Sequence, residues 1–340
     1  MQAVVAVEGK EIAVQTVPVP SIADNEVLVQ VKAAAQNPTD WKHAAWGLSQ
    51  PGFIMGCDYA GVVVKVGAKV RNVKNGDRVA GFVNGSNKND LGTYAEYLRT
   101  DYDLVWSIPD NTSFEEAAAI GGVGAETAAM ALYHSLRLPW PGTSSAPRTV
   151  LIWAGSTSVG LYAIQLAKAS GATVVTTASP HNHELLKTLG AAGVFDYNSP
   201  TVVEDIKRAY PDIGTALDCI SENGSTKQVA ACFGKPGKIT TLLIVKQDGQ
   251  GWNPDVEITF ILLSTTKGKA FEFIGIAFPA APEDRVYAVK WQQGALVKSG
   301  QLKANPIKII PGGLHGVKEG FEFMKAGKVS AQKLVYQVAA

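Results

Sequence analysis

Cysteine is scarce in this chain. Three cysteines occur among 340 residues, and Cys57, Cys219 and Cys232 lie far apart. An odd number at such spacing excludes a disulfide framework and gives no C-x-x-C pair for a metal. We interpret all three as buried, unreactive thiols.

An excess of charge and long apolar runs are missing as well. Lys and Arg number 31 and Asp and Glu 30, so the formal net charge is +1. The chain therefore has no basic field for nucleic acid or a membrane surface. No apolar run is long enough to span a bilayer, and the first residues resemble no secretory signal. With 46% apolar residues, the composition predicts a cytoplasmic enzyme of about two domains.

The segment 149–160, TVLIWAGSTSVG, lacks one glycine of the dinucleotide-binding pattern G-x-G-x-x-G. Gly155 and Gly160 are present, but Thr157 stands at the middle position. An apolar run precedes the glycines, a helical period follows, and a second strand is predicted at 173–178. Together they indicate a βαβ unit whose helix N-terminus can bind phosphate. The alternative is an ordinary strand-to-helix turn.

An acidic residue is also missing where an NAD site would need one. Asp or Glu should follow the glycines by roughly 20 residues to bind the ribose 2′-OH. Residues 178–182 read Ala-Ser-Pro-His-Asn, and no acid precedes Glu184. Hydroxyl, imidazole and amide groups can donate to a 2′-phosphate, which favours NADPH. The alternative is a simple turn and helix cap.

The first third of the chain is predicted to be rich in β-strands, as in a small barrel or sandwich. Strands are expected at 26–31, 60–66, 77–83 and 92–98. The polar segment Asn37–Lys42 interrupts them, and Pro38 can begin a helix that Asn37 caps. The alternative for this segment is a surface turn.

From residue 149 onwards, strands and helices alternate, which predicts a doubly wound parallel sheet. A capping pattern at 111–116 and a small-residue helix precede this part. Its last strands are expected at 238–244 and 271–277, and a helix is expected at 283–299.

Four segments in this order resemble the medium-chain dehydrogenase/reductase superfamily: NPTDWK (37–42), GDRVAGF (76–82), GTYAEY (92–97) and AGSTSVG (154–160). The resemblance covers essentially the whole chain and is closest to the zinc-independent quinone and enoyl reductases. Four further segments are similar to fungal trans-acting enoyl reductases that serve polyketide synthases: SPHN (179–182), VFDYNSP (194–200), ALDCI (216–220) and SAQKLV (330–335).

The resemblance implies an α/β fold in which a GroES-like β-barrel catalytic domain is interrupted by a doubly wound Rossmann domain. The expected limits are 1–121 for the first part of the catalytic domain, 122–278 for the NADPH-binding domain and 279–340 for the return to the catalytic domain. The active site is then expected in the cleft between the two domains.

The resemblance also implies that no zinc is bound. Zinc-using relatives have a cysteine at the position of Asn37 and a His-Glu pair at the positions of Cys57 and Asp58. Catalytic zinc needs about three side-chain ligands. Cys57 and Asp58 cannot supply these alone, and the five histidines show no metal spacing near them.

Without zinc, reduction of a C=C bond conjugated to a carbonyl is a better expectation than alcohol dehydrogenation. Hydride goes to the β-carbon, and a donor or cation stabilises the enolate oxygen. Lys42 is the candidate cation; substrate orientation, cofactor ribose contact and proton supply remain open as its role. A tyrosine that donates the proton in mitochondrial-type enoyl reductases has no counterpart at 46–48. Tyr59 is an alternative donor or a packed core residue.

The same resemblance gives the expected cofactor contacts, although each apolar member could equally belong to the core. Ser156, Thr157, Ser158 and Val159 are expected at the pyrophosphate, Ser179, His181 and Tyr197 at the 2′-phosphate, Cys219 and Ile220 at the adenosine side, Leu243 and Ile274 at the nicotinamide, and Thr127 and Lys333 at cofactor or substrate.

The expected function is NADPH-dependent reduction of enones, enals or enoyl thioesters, either free or bound to a carrier protein. The alternatives are a quinone oxidoreductase and a low-turnover NADPH-binding partner protein. No nucleic-acid or membrane partner is expected. The protein should be a monomer or a homodimer paired through 271–277.

Overall fold

In the computed structural model of the chain, residues 1–143, 148–248, 250–273, 275–294 and 301–338 are described. They form two compact units, Met1–Gly124 with Ser264–Ala340, and Ala125–Leu263. The domain limits expected from the sequence, 1–121, 122–278 and 279–340, stay predictions. Among the described residues, none of the helices combines the length and apolar character that crossing a membrane requires.

The N-terminal part of the chain is dominated by strands. Its elements are β1 (Gln2–Val7), β2 (Glu11–Thr16), β3 (Glu26–Ala35), α1 (Pro38–Ala45), β4 (Asp58–Val66), β5 (Arg78–Phe82), β6 (Tyr97–Asp101), β7 (Val105–Ser107), α2 (Phe114–Ile120) and α3 (Val123–Ala129).

Strands and helices alternate after a π-helical segment, Met130–Ser135. The elements of this middle part are β8 (Thr149–Trp153), α4 (Ser158–Ala169), β9 (Thr173–Thr177), α5 (His183–Leu189), β10 (Gly193–Phe195), α6 (Val202–Ala209), β11 (Thr215–Asp218), α7 (Ser225–Ala231), β12 (Gly237–Thr241) and β13 (Val256–Phe260).

The C-terminal part mixes strands and helices. It contains β14 (Phe271–Phe273), β15 (Ile276–Phe278), α8 (Pro282–Gln293), β16 (Ile307–Ile309), α9 (Val317–Lys325) and β17 (Lys333–Gln337).

The main sheet of the first unit follows the order β16-β17-β3-β4-β5-β7, and β6 also pairs with β3. The tail joins this sheet because β17 lies antiparallel to β3, with Val335 opposite Ala35. Apolar side chains on one face of these strands form the core. Three predicted strands are confirmed here. The fourth, at 92–98, is wrong in its limits, because β6 begins only at Tyr97 and the chain at Gly92 passes too close to Ile54 for a side chain.

The sheet of the second unit has parallel strands in the order β10-β9-β8-β11-β12-β13. This confirms the doubly wound sheet. The strand order reverses between β8 and β11, which is the place where such sheets bind their ligands. The apolar run Val150–Trp153 is buried, as a strand covered on both faces requires.

The predicted last strand of this sheet, 271–277, is wrong. Phe271–Phe273 instead pairs antiparallel with Ile276–Phe278 in a hairpin, because the chain reverses at Gly275, whose φ is +75°. The sixth parallel strand is β13, whose sequence VEITF alternates as expected at a half-buried sheet edge. The predicted helix 283–299 is observed over Pro282–Gln293, and residues 295–300 lie outside the described part.

Candidate active site

The turn between β8 and α4 depends on two glycines that allow close approach of the backbone. A Cβ at Gly155 would lie 2.1 Å from Thr176 Oγ1, and one at Gly160 would lie 2.6 Å from the Ala154 carbonyl oxygen. Both distances are far below normal contact, so β8, β9 and α4 can pack this tightly only with glycine here. Ala154 has a φ of +62°, which completes the sharp turn into the helix.

Thr157 caps α4. Its Oγ1 accepts a hydrogen bond from Gly160 N at 3.0 Å and donates to the Ala154 carbonyl oxygen at 2.9 Å. A threonine in place of the middle glycine thus stabilises the helix start. The expected contact of Thr157 with the pyrophosphate stays a prediction, and its hydroxyl proton is donated to the Ala154 carbonyl oxygen in this structure. The half-buried Ser156, Ser158 and Val159 lie at the same helix N-terminus.

Cys219 and Ile220 follow β11 instead of ending it. β11 lies next to β8, across the place where the strand order reverses. The sequence did not single out the adjacent Asp218, which fixes their loop. Its fully buried carboxylate accepts hydrogen bonds from Ile220 N, Ser221 N, Ser225 Oγ and Thr226 Oγ1 at 2.6–3.1 Å. A strand-ending acid followed by serine and threonine residues could have suggested this role. Burial raises the pKa of the Cys219 thiol, which keeps it protonated.

The end of β9 presents hydroxyl and imidazole groups. Ser179 Oγ donates to Tyr197 OH at 3.3 Å, and the Tyr197 side chain is 45% exposed. His181 is exposed in the short 3₁₀ turn that follows Ser179. The structure thus brings Ser179 and Tyr197 together, and the first acid after β9, Glu184, forms an ion pair with Lys187 at 2.8 Å.

The remaining cofactor candidates predicted from the resemblance lie on different parts of the chain. Thr127 is buried in α3. Leu243 is half-buried just beyond the end of β12. Ile274 lies outside the described residues.

In the first unit, α1 begins as the sequence predicted. Pro38 is its first residue, and Asn37 N donates to Asp40 Oδ2 at 2.7 Å in a capping box. Lys42 is half-buried on the next turn, with Nζ 5.2 Å from the ring centroid of the exposed Trp46. Burial lowers the pKa of the neighbouring His43 to about 4, so that this imidazole is neutral at pH 7 and is no proton donor.

A buried polar cluster lies where α1 starts. β3 ends at Ala35, with β17 on one side and the first residue of β4, Asp58, on the other. Asn37 comes two residues after this strand end. Lys333 Nζ donates to Asp58 Oδ2 at 3.0 Å and to Asn37 Oδ1, and Asn37 Nδ2 donates to Asp58 Oδ2 at 2.8 Å. Lys333 is predicted to contact the cofactor or substrate, but its side chain is only 2% exposed and its ammonium group is hydrogen-bonded to Asn37 and Asp58.

Asp40 and Cys57 extend this cluster. Tyr94 OH donates to Asp40 Oδ2 at 2.8 Å, and both side chains are fully buried. Burial raises the pKa of Asp40 to about 6, and burial also raises the pKa of the Cys57 thiol well above its usual range. Without a bound metal, the Cys57 thiol is therefore protonated at neutral pH.

Tyr59 lies fully buried in the apolar core of the first unit. Burial raises the pKa of its hydroxyl, which makes proton release still harder. The sequence analysis left two roles open for Tyr59, proton donor or packed core residue, and the structure has it packed in the core.

The comparisons with known proteins agree with both sheets. Residues 23–110 match the family model of the alcohol dehydrogenase GroES-like domain, and residues 158–271 match that of the zinc-binding dehydrogenase. The chain is 37% identical to a trans-enoyl reductase of Alternaria alternata over 345 aligned residues, covering 99% of this chain and 98% of the relative. It belongs to the quinone and enoyl reductase branch of the medium-chain dehydrogenase/reductase superfamily.

Other members of this superfamily give the same result. A trans-enoyl reductase of Xenoacremonium sinensis is 38% identical, with 94% of this chain and 90% of the relative covered. Among solved structures, the quinone oxidoreductase from Coxiella burnetii has a TM-score of 0.72 and 26% identity, with 100% of this chain and 99% of that chain covered. The GroES-like and Rossmann domains expected from the sequence are confirmed, and the protein is an oxidoreductase of a family that binds a nicotinamide cofactor.

The residues of this oxidoreductase fit the nicotinamide cofactor of the family. The glycines at 155 and 160 leave room for a phosphate to approach the backbone, and α4 presents its N-terminus at the strand-order reversal. Zinc fits poorly. Within the described residues, no group of three or more His, Cys, Asp or Glu could hold a metal ion. An ammonium group, Lys333 Nζ, lies between Asn37 and Asp58 instead.

Proposed function

We propose that this chain is an NADPH-dependent reductase of C=C bonds conjugated to a carbonyl, acting on enones, enals or enoyl thioesters. The observation that carries the proposal is the similarity to trans-enoyl reductases along nearly the whole chain. The donor set around Asn37 and Asp58 supports it further, because it offers no fit to the zinc ion that would polarise an alcohol oxygen.

The cofactor would lie along the carboxyl ends of the parallel strands. The N-terminus of α4, with Ser156, Ser158 and Val159, would hold the pyrophosphate through free N–H groups and hydroxyls. Cys219 and Ile220, held by Asp218, would line the adenosine side. The family resemblance implies further contacts at Thr127, Thr157, Leu243 and Ile274.

The 2′-phosphate site is proposed at Ser179, His181 and Tyr197. The hydroxyls of Ser179 and Tyr197 lie within hydrogen-bond distance of each other at a partly exposed position, so that both can turn to one phosphate group. The imidazole of His181 adds a further donor on the same turn. This arrangement favours NADPH over NADH.

The bound cofactor supplies the hydride that adds to the β-carbon. Lys42 is proposed to donate a hydrogen bond to the carbonyl oxygen, where negative charge develops as the enolate forms. Its ammonium lies on the last turn of α1, and the neighbouring neutral His43 brings no competing charge. Solvent or Lys42 then gives the proton to the α-carbon.

Oxidation of NADPH with a panel of acceptors tests this proposal. We expect turnover with α,β-unsaturated ketones, aldehydes and thioesters, and a saturated product. With NADPH deuterated at the transferred position, the deuterium should appear at the β-carbon. Turnover of quinones alone would favour the quinone reductase, and oxidation of simple alcohols as the fastest reaction would contradict the proposal. A thioester of a carrier protein, compared with the same acyl group on a small thiol, tests whether the substrate is carrier-bound.

Cofactor choice should respond to changes at the end of β9. Ser179→Asp is expected to weaken NADPH binding about 100-fold, because a carboxylate repels the 2′-phosphate and can bind a ribose 2′-OH. His181→Ala should weaken NADPH binding about 10-fold through loss of one charge-assisted hydrogen bond. Titration of cofactor fluorescence measures both affinities, and NADH binding should not fall in either variant.

Glu184→Gln is the matched control for cofactor choice. Glu184 is exposed on the same helix start and pairs with Lys187, so its replacement should leave the ratio of the two affinities unchanged. Equal affinity of the parent protein for NADPH and NADH would refute the proposed 2′-phosphate site.

A further inference from the structure

Lys333 is the most deeply buried cation that the structure pairs with a carboxylate among the described residues. Its side chain is 2% exposed and that of Asp58 is 0% exposed, and Nζ lies 3.0 Å from Asp58 Oδ2. Burying two charges is expensive, and the pair is tolerated only when its remaining hydrogen-bonding capacity is satisfied. The surroundings of both groups therefore decide what the pair does.

Asp58 binds donors from three other segments. Its Oδ1 accepts from Gly122 N at 3.2 Å and Val123 N at 2.8 Å, and its Oδ2 accepts from Asn37 and Lys333. One carboxylate thus connects β4 with the start of α1, the start of α3 and the tail strand β17. Such a fully occupied carboxylate is a fixed point of the first unit.

Asn37 has both ends of its amide engaged by this ion pair. Its Nδ2 donates to Asp58, its Oδ1 accepts from Lys333, and its backbone N donates to Asp40. Asn37 is the cap of α1, and the helix carries Lys42 on its last turn. The orientation of α1 is therefore set by the ammonium of a strand that is almost 300 residues away in sequence.

We infer that Lys333 is a built-in cation that organises this site in place of a metal ion, and that it positions Lys42 by holding Asp58 and Asn37 at the start of α1. Lys333 is a positioning residue and touches no reacting atom. The inference rests on the proposed function only for the role of Lys42. The fixation of α1 by Lys333 does not depend on which reaction the protein catalyses.

Hydrogen exchange of α1 tests the inference without any substrate. In Lys333→Met, exchange of the amides of residues 39–46 should become at least about 10-fold faster than in the parent, and peptides of β8 and α4 should keep their rates. Lys318→Met is the matched control, because Lys318 pairs with Glu11 on the surface, with side chains 63% and 57% exposed. If α1 exchanges no faster in Lys333→Met than in Lys318→Met, the inference is overturned.

A second variant keeps the test decisive if Lys333→Met is too unstable. The single change leaves Asp58 buried without its counter-charge, and we expect the Tm to fall by about 10 °C. Lys333→Met with Asp58→Asn removes both charges, so the Tm should recover while α1 still exchanges faster than in the parent. Full recovery of α1 protection would show that Lys333 is only a counter-charge and would overturn the positioning role.

Kinetics separate this role from general destabilisation. With an enone as substrate, Lys333→Met should lower kcat about 10- to 100-fold with little change in the KM for NADPH, because displacement of a catalytic group is costly. In a Lys42→Met background, the same change should have no further effect on kcat. Additive losses would overturn the inference, whereas a parent protein without enone turnover would refute the proposed function and leave the exchange result standing.

The metal content of the purified protein tests whether Lys333 takes the place of a metal ion. After incubation with zinc and dialysis, the parent should retain far less than one zinc per chain, since an ammonium occupies the place between Asn37 and Asp58. About one tightly bound zinc per chain would overturn it.

Discussion

Replacing Lys42 with methionine is expected to lower kcat for enone reduction by about 10²–10³-fold, which is the loss found when one preorganised donor to an oxyanion is removed. Methionine keeps the length of the side chain and removes the ammonium group. The KM for NADPH should change much less if Lys42 acts on the carbonyl oxygen. Steady-state kinetics with varied enone and varied NADPH separate the two effects.

Two comparisons sharpen the Lys42 experiment. Lys42→Arg keeps the charge and should retain more activity than the methionine variant. Lys65→Met is the control, because Lys65 is exposed on β4, and its kcat should equal that of the parent. A kcat in Lys42→Met within about 3-fold of the parent would show that Lys42 has no role at the reacting carbonyl, and an effect confined to the KM for NADPH would assign it to the cofactor ribose.

The parts of the site that depend on local chain geometry could be predicted from the sequence. Asn37 and Pro38 specify the cap and first turn of α1, and the structure has this helix start. Gly155 and Gly160 indicated a tight strand-to-helix turn, and the distances that a Cβ would meet there explain why both must be glycine. In each case the deciding contacts lie within a few residues or within one βαβ unit.

Contacts between segments that are distant in sequence could not be predicted from sequence patterns. Lys333 and Asp58 are separated by 275 residues, and each alone resembles an ordinary charged residue near a strand start. Only the pairing of β17 and β4 on either side of β3 brings them to Asn37. The same limit explains Tyr59, whose place in the core depends on which face of β4 points inward.

The edge of the parallel sheet shows a different reason for error. The sequence analysis predicts the apolar segment 271–277 as the last strand and predicts none at Val256–Phe260, whose apolar residues alternate with Glu257 and Thr259. An edge strand needs only one covered face, and its weaker apolar character is a consequence of its position. Thr157 shows that a hydroxyl near a phosphate loop can also stabilise the helix, because its Oγ1 bonds Gly160 N and the Ala154 carbonyl oxygen.

Replacing Gly155 with alanine is expected to lower the free energy of unfolding of the second unit by about 3 kcal/mol, as for overpacking of a rigid core. The new Cβ would lie 2.1 Å from Thr176 Oγ1 and 3.0 Å from Ile164 Cδ1, so β9 or α4 must move. Because the same movement displaces the N–H groups at the start of α4, NADPH binding should weaken at least ~100-fold. Thermal unfolding and fluorescence titration of NADPH measure the two effects.

A second change at Thr176 tests whether this contact is the cause. Thr176→Ala removes Oγ1 and should restore part of both losses in the Gly155→Ala background, although the 3.0 Å contact with Ile164 remains. Alone, it should cost about 1 kcal/mol, because Oγ1 donates to the Ile152 carbonyl oxygen at 2.6 Å.

Gly171→Ala, at the other end of α4, is the control: its φ of +78° makes alanine unfavourable, but a Cβ there meets no atom within 4 Å. That variant should lose stability and keep its affinity for NADPH. If Gly155→Ala also keeps its affinity, the turn at 154–160 does not bind the cofactor.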